Sequence, residues 1–137
     1  MKKTLLLALF CLIGIAGFSQ GIPEKANTII ITYPDSNLVY DKVMSVLTEK
    51  EYIVKGNKST TKIITSPKTL KGGKTRVSLV VEIKGAEVWL SGNIVVAAQD
   101  NLKIEYKGNK GTPIMDAWEE MDKVGKALGR KLKYEVK

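Results

Sequence analysis

Alternation of hydrophobic and polar residues marks the middle of the chain. An aliphatic residue stands at every odd position from Val77 to Ile83, and a period of two recurs over residues 88–96 and 102–107. Such alternation predicts strands with one buried and one wet face, which antiparallel sheets permit and parallel sheets rarely do. Short turns with glycine or asparagine separate these segments, as β-hairpins require.

Three further segments predict shorter strands because they are rich in β-branched residues: 28–33, 52–55 and 61–65. Pro34 and Pro67 close two of them, since proline cannot donate to a sheet ladder. We therefore expect about six strands.

A helical period replaces the strand period in two places. The first is an apolar stripe that predicts a helix over residues 37–50, formed by Val39, Val43, Val46 and Leu47. Its N-cap candidates are Asp35, Ser36 and Asn37, whose side chains can accept free amide protons of the first turn.

The second helical stripe runs from Ile114 to Leu132 and includes Trp118, which we interpret as a core residue. Thr112 and Pro113 are suited to begin this helix. Gly125 lies on the stripe, and we expect it to allow close approach of the helix to the sheet.

The resulting order, β-α-β-β-β-β-β-α, predicts a two-layer α+β domain with one antiparallel sheet covered on one face by both helices. A strand after the first helix, Tyr52-Ile53-Val54, is followed by a turn and by Lys62-Ile63-Ile64-Thr65. With this element order, residues 28–136 resemble the helix-grip and TBP-like arrangement of small exported bacterial proteins, including BamC-like domains of outer-membrane assembly. The resemblance implies a fold and carries over no functional residue.

The N-terminus has the three parts of a secretory signal peptide: a basic head at Lys2 and Lys3, an apolar run over residues 5–18, and small residues before a cut at Gln20. Fourteen apolar residues are fewer than the ~20 that cross a bilayer. Cys11 follows Phe10 within the run, which does not fit a lipidation site. We expect a signal peptide at 1–19, export without a lipid anchor, and one domain at 20–137 that begins with a loose leader at 20–27.

The composition excludes several chemistries. The chain has no histidine, and its single cysteine, Cys11, lies in the signal peptide. A histidine-based triad and a Cys/His zinc site are therefore excluded from the exported part. Gly72-Gly73-Lys74-Thr75 resembles part of a phosphate-binding loop, but a strand follows it instead of the required helix. The carboxylates are typical of solvated helix faces, so we expect no catalytic, cofactor or metal site and a non-enzymatic protein. The competing class is an enzyme that uses paired carboxylates or a serine activated by lysine.

The charged residues are distributed unevenly along the chain. The net charge is +8, and no acidic residue lies between Tyr52 and Val81. Seven basic residues occupy this segment and are our candidates for anion binding: Lys55, Lys58, Lys62, Lys68, Lys71, Lys74 and Arg76. Their partner could be an acidic glycan or an anionic lipid surface; nucleic acid is not favoured, because no aromatic residues are interleaved among them. Solvation of a wet sheet face is the alternative interpretation.

Trp89 is a second candidate contact residue, because its position in the alternation is opposite to that of Val88 and Leu90. These features favour an exported domain that binds a partner or supports an envelope assembly. The alternative is a carrier of a small apolar ligand held between the C-terminal helix and the sheet, since no phenylalanine remains to fill the core.

Overall fold

The computed structural model describes residues 21–55, 61–73, 75–95 and 101–137. Seven strands and two helices lie in these ranges. In chain order they are β1 Thr28–Thr32, α1 Val39–Glu49, β2 Lys62–Ile64, β3 Lys68–Thr69, β4 Arg76–Lys84, β5 Glu87–Ile94, β6 Leu102–Lys103, α2 Pro113–Leu128 and β7 Leu132–Glu135. The expected signal peptide at 1–19, the predicted turns within 56–60 and 96–100, and Lys74 lie outside the described residues.

The strands form one sheet in the order β2-β4-β5-β1-β7, with β3 also paired to β4 and β6 to β5. Every strand pair is antiparallel. The β4–β5 hairpin has the longest ladder and turns at Gly85, whose φ of 61° lies in the left-handed region that glycine adopts without strain. The predicted α+β class with one antiparallel sheet is confirmed.

One face of the sheet carries the hydrophobic core. Val77, Leu79 and Val81 of β4 are fully buried, as their alternation predicts. Helices α1 and α2 pack on this face, and α2 contributes Trp118, only 2% exposed. A Cβ built on Gly125 would lie 3.3 Å from Ile29 Cγ2, so this glycine allows the close helix–sheet approach expected for it.

The last helix is shorter than predicted and is followed by an unpredicted strand. Helix α2 ends at Leu128, and Gly129 has extended backbone angles. Glycine has low helix propensity, so a stop here is physically reasonable. Leu132, which the helical stripe includes, begins β7 and packs against the core from there.

The first helix begins differently from the prediction. Leu38 is its N-cap residue, with φ 64° and no side-chain cap hydrogen bond. Asp35 instead accepts a hydrogen bond from the Asn37 backbone N–H at 2.7 Å, which makes a local turn. Asp35, Ser36 and Asn37 are therefore not the N-cap of α1.

Three other segments differ from their predictions. The alternation over residues 102–107 yields only the two-residue strand β6, Leu102–Lys103. The strand predicted at 52–55 is reduced to an isolated bridge between Val54 and Thr65. The leader is held at its end, because Lys25 N–H donates to the Tyr106 carbonyl at 2.9 Å and Asn27 N–H donates to the Glu135 carbonyl at 2.9 Å. Residues 25–27 thus join the sheet region instead of remaining loose.

Candidate functional site

An apolar cavity of about 690 Å³ lies at one end of the two-layer domain, where the beginning of α2 meets the β4, β5 and β6 strands. Most of its exposed wall is carbon. The described lining residues are Thr75, Arg76, Ile94, Val95, Leu102, Lys107, Asn109, Thr112, Pro113 and Ile114.

The sheet side of the cavity is fixed by strand pairing. Ile94 of β5 pairs with Leu102 of β6. Ile94 is 7% exposed, whereas Leu102 is 49% exposed, so the wall becomes more open towards β6. The Val95 N–H donates to the Arg76 carbonyl at 2.9 Å and holds the end of β5 against the start of β4.

The helix side of the cavity is fixed by the N-terminus of α2. Thr112 Oγ1 accepts a hydrogen bond from Met115 N–H at 3.3 Å and caps the helix. The Lys107 N–H lies 3.3 Å from the Met115 sulfur, which ties the segment after β6 to the first turn. Pro113 and Ile114 are thereby held over the cavity.

Two basic residues are among the described lining residues. Lys107 is paired with Glu105 at 3.2 Å. Arg76 is exposed, and within the described ranges no carboxylate lies within 4.0 Å of its guanidinium. The described lining includes no aspartate or glutamate, so this described part of the wall is apolar with two basic residues.

The other candidate anion-binding residues occupy separate places. Lys62 lies on β2 opposite Glu82, on the sheet face away from the helices. Lys55 is exposed beyond the Val54 bridge. Lys58 and Lys74 lie outside the described residues.

Lys68 lies on the helix side of the sheet and makes structural contacts. Its ammonium lies 2.6 Å from the Lys50 carbonyl, 3.4 Å from Glu120 Oε1 and 4.6 Å from the centre of the Tyr52 ring. Burial first, and then the Glu120 carboxylate, raise the pKa of the Tyr52 hydroxyl above its ordinary value of 10.0. Lys68 thus joins the end of α1 to α2.

Lys71 and Lys68 line the same polar depression of the surface, and carboxylates line it too. Three lysines line it together with four acidic residues: Lys68, Lys71 and Lys123, with Glu51, Asp116, Glu119 and Glu120. Carboxylates of this number offset the lysine charge locally. The structure therefore brings Lys68 and Lys71 together in a depression where acidic side chains offset the lysine charges.

Trp89 lies on the sheet face opposite the core, and lysines of the same chain cover it. Lys84 Nζ is 3.5 Å and Lys137 Nζ is 4.4 Å from the centre of the indole ring, within the range of cation–π contact. Its cross-strand neighbours are Ile30 and Glu82. The indole is half-buried in this local cluster.

A carboxylate beside this cluster is held ionised. Hydrogen bonds from Lys133 and then from Lys137 lower the pKa of Glu135 to about 2. The Lys133 and Lys137 ammonium groups lie 2.7 and 2.6 Å from its oxygens. The charges around Trp89 are thus largely paired with one another.

In the part of the chain that the structure describes, no group of three or more Asp, Glu, Cys or His residues could hold a metal ion.

None of the described helices has both the length and the apolar character needed to cross a bilayer.

The fold and its cavity define a two-layer α+β domain with an apolar pocket at one end of the sheet. No protein-family model and no curated protein matches the chain. Sequence reasoning placed Arg76 among its candidate residues but missed Ile94, Leu102 and Ile114. One sequence signal for the cavity was available: the apolar Leu102 lies shortly before a break with two glycines at residues 108–111.

Proposed function

We propose that this protein is an exported, non-enzymatic binding domain whose cavity takes a small apolar ligand. The observation that carries the proposal is the cavity of about 690 Å³ between the start of α2 and the sheet. Ligand sites in proteins usually occupy about 300–1,000 Å³ and are mostly apolar with a few polar groups. Ile94, Leu102 and Ile114 supply the apolar wall, while Thr112 and Asn109 supply polar atoms.

The exposed apolar wall supports the same proposal. An apolar concavity gains little from water, because it offers few hydrogen-bond partners. A carbon-rich ligand would remove the exposed surface of Leu102 from water, which is favourable at about 25 cal/mol per Å².

The hypothesis of a basic anion-binding surface over the middle hairpins receives less support. Lys68 is engaged by Glu120 and the Lys50 carbonyl, and Lys71 lies among carboxylates. Arg76 is the candidate that lines the cavity. The positive segment therefore contributes to the proposed function mainly through this residue.

Titration with the neutral fluorescent probe N-phenyl-1-naphthylamine tests the proposal. We expect saturable binding to the wild-type chain and loss of binding in Leu102→Trp, which fills the cavity from the half-exposed β6 strand. Ile53→Trp is the matched control, since Ile53 is 71% exposed and does not line the cavity. Absence of probe binding to the wild type, or equal affinity in the wild type and Leu102→Trp, would contradict the proposal.

A further inference from the structure

We infer that the outer edge of β7 is a self-association surface, where β7 pairs antiparallel with β7 of a second copy of this chain around a two-fold axis at Tyr134. The surface lies apart from the cavity, because β7 contributes none of the described lining residues. Its observations are the open edge of the sheet, the direction of the β7 backbone groups and the charges of one strand register.

The two edges of the described sheet differ. Beside β2, the Lys55 N–H donates to the Ile64 carbonyl at 2.7 Å. Val54 also forms a bridge with Thr65, so the segment before residue 56 covers this edge. Among the described strands, β7 has β1 on one side and no strand on the other. An edge strand with unpaired N–H and carbonyl groups is a template for pairing with another strand.

The β7 backbone alternates between groups that bond to β1 and groups that point outward. The Thr32 N–H donates to the Lys131 carbonyl at 3.1 Å, and these two residues continue the β1–β7 register by one step. Hydrogen-bonded and non-hydrogen-bonded positions alternate in an antiparallel pair. Lys133 is therefore a bonded position, and the N–H and carbonyl groups of Leu132 and Tyr134 point away from β1. The bonds of the neighbouring β1–β5 ladder have the phase that this alternation requires.

Charge selects one register for the two copies. When Tyr134 faces Tyr134 of the second copy, Lys133 stands opposite the partner's Glu135, and Glu135 opposite the partner's Lys133. These are non-hydrogen-bonded positions of the new pair, where opposite side chains come closest. A two-residue shift in either direction keeps the same backbone groups outward but sets Lys133 against Lys133 or Glu135 against Glu135. The strand is thus complementary to itself in the register centred on Tyr134.

The ends of the paired strands add one apolar contact and one repulsive contact. Val136 is 56% exposed and would face the partner's Leu132, which would remove part of its surface from water. Lys131 would face the partner's Lys137, but both side chains are exposed, so solvent and salt screen this repulsion. The two central pairs of opposite charge therefore decide the register.

Sedimentation equilibrium of the purified protein over a concentration series tests the inference. We expect a monomer–dimer equilibrium for the wild type. Lys133→Glu and Glu135→Lys should each weaken the dimer at least about tenfold, because two attractive cross-strand pairs become repulsive. An equimolar mixture of the two variants should restore the dimer, since each strand then faces charges of opposite sign. Lys42→Glu, the same change at an exposed lysine of α1, is the control and should keep the wild-type affinity.

Each other outcome contradicts the inference. A wild type that stays monomeric at every concentration would show that Lys133 protects the edge from pairing. A dimer unchanged in both variants would use another surface, and a mixture that stays monomeric would exclude the register. The Lys133 side chain is 71% exposed, so its replacement should leave the fold intact. Should a variant not fold, the wild type decides, because added salt should weaken a dimer held by exposed charge pairs and a salt-independent affinity would contradict it.

Discussion

Gly92 of β5 lies at a crowded point of the sheet. A Cβ built on it would lie 2.9 Å from the Ser78 carbonyl oxygen and 2.9 Å from Ile104 Cδ1. The carbonyl belongs to the neighbouring strand, so it cannot move without disturbing the ladder. We predict that Gly92→Ala lowers the free energy of unfolding by about 1–3 kcal/mol, as overpacking does. Urea unfolding measures this, and Gly21→Ala, with no atom within 4 Å, is the control.

Lys68 shows that a residue in a charged run can have a structural role. Its ammonium donates to the Lys50 carbonyl at the end of α1 and pairs with Glu120 of α2. We predict that Lys68→Met keeps the aliphatic stem but lowers the free energy of unfolding by about 1.5 kcal/mol, the scale of a hydrogen bond to a charged group. Lys71→Met, an exposed neighbour, should change it by less than about 0.5 kcal/mol. Equal urea midpoints for the two variants would contradict a structural role for Lys68.

At the scale of elements, the two helices begin in different ways. Thr112 caps α2 with its hydroxyl, whereas α1 begins at Leu38, which is 75% exposed with φ 64° and no cap hydrogen bond. The left-handed region costs a leucine about 1–2 kcal/mol, and asparagine tolerates it better. We predict that Leu38→Asn raises the free energy of unfolding by about 1 kcal/mol. Ile53→Asn, an equally exposed position without positive φ, should not; a thermal unfolding midpoint raised equally in both variants would refute this explanation.

Elements with their own strong pattern could be predicted from the sequence. Strands β4 and β5 alternate because one face is buried and the other is not, and β4 spans the predicted residues 76–84. Strand β3 could not be predicted, because Lys68 and Thr69 have no apolar pattern and are defined by pairing with Val77 and Arg76. Leu132 misled the prediction because its four-residue spacing from Leu128 suits a helix, while a strand after Gly129 brings it to the same core.

The candidate site was less predictable than the fold. The charge of Arg76 makes it a candidate from the sequence, and the alternative of a ligand between the last helix and the sheet is equally general. Ile94 and Ile114 have the sequence pattern of ordinary core positions, because an apolar residue beside a cavity has the same pattern as one in a packed core. In the structure β6 ends at Lys103, and Leu102 is half-exposed beside the start of α2.

Across the whole molecule, three tyrosine hydroxyls connect the sheet and its loops to α2. Tyr33 donates to the Leu128 carbonyl at 2.5 Å, Tyr52 to Glu120 at 3.4 Å and Tyr134 to Asp122 at 2.7 Å. Burial is the main cause that raises the pKa of all three hydroxyls above the ordinary value of 10.0. The folded chain therefore retains these protons at a pH where the unfolded chain loses them.

A stability profile at alkaline pH follows from this difference. Because the folded pKa is raised, the contribution of each tyrosine is fully present below pH 10 and is lost as the pH rises above it. We predict that the free energy of unfolding, measured by urea titration, falls between pH 10 and 11.5, and that Tyr52→Phe falls less steeply because one ionisable group is gone. Tyr40→Phe is the control, since its hydroxyl has no hydrogen-bond partner among the described residues and the wild-type slope should persist. Identical slopes in the wild type and Tyr52→Phe would show that lysine deprotonation, and not the buried Tyr52 hydroxyl, governs alkaline unfolding.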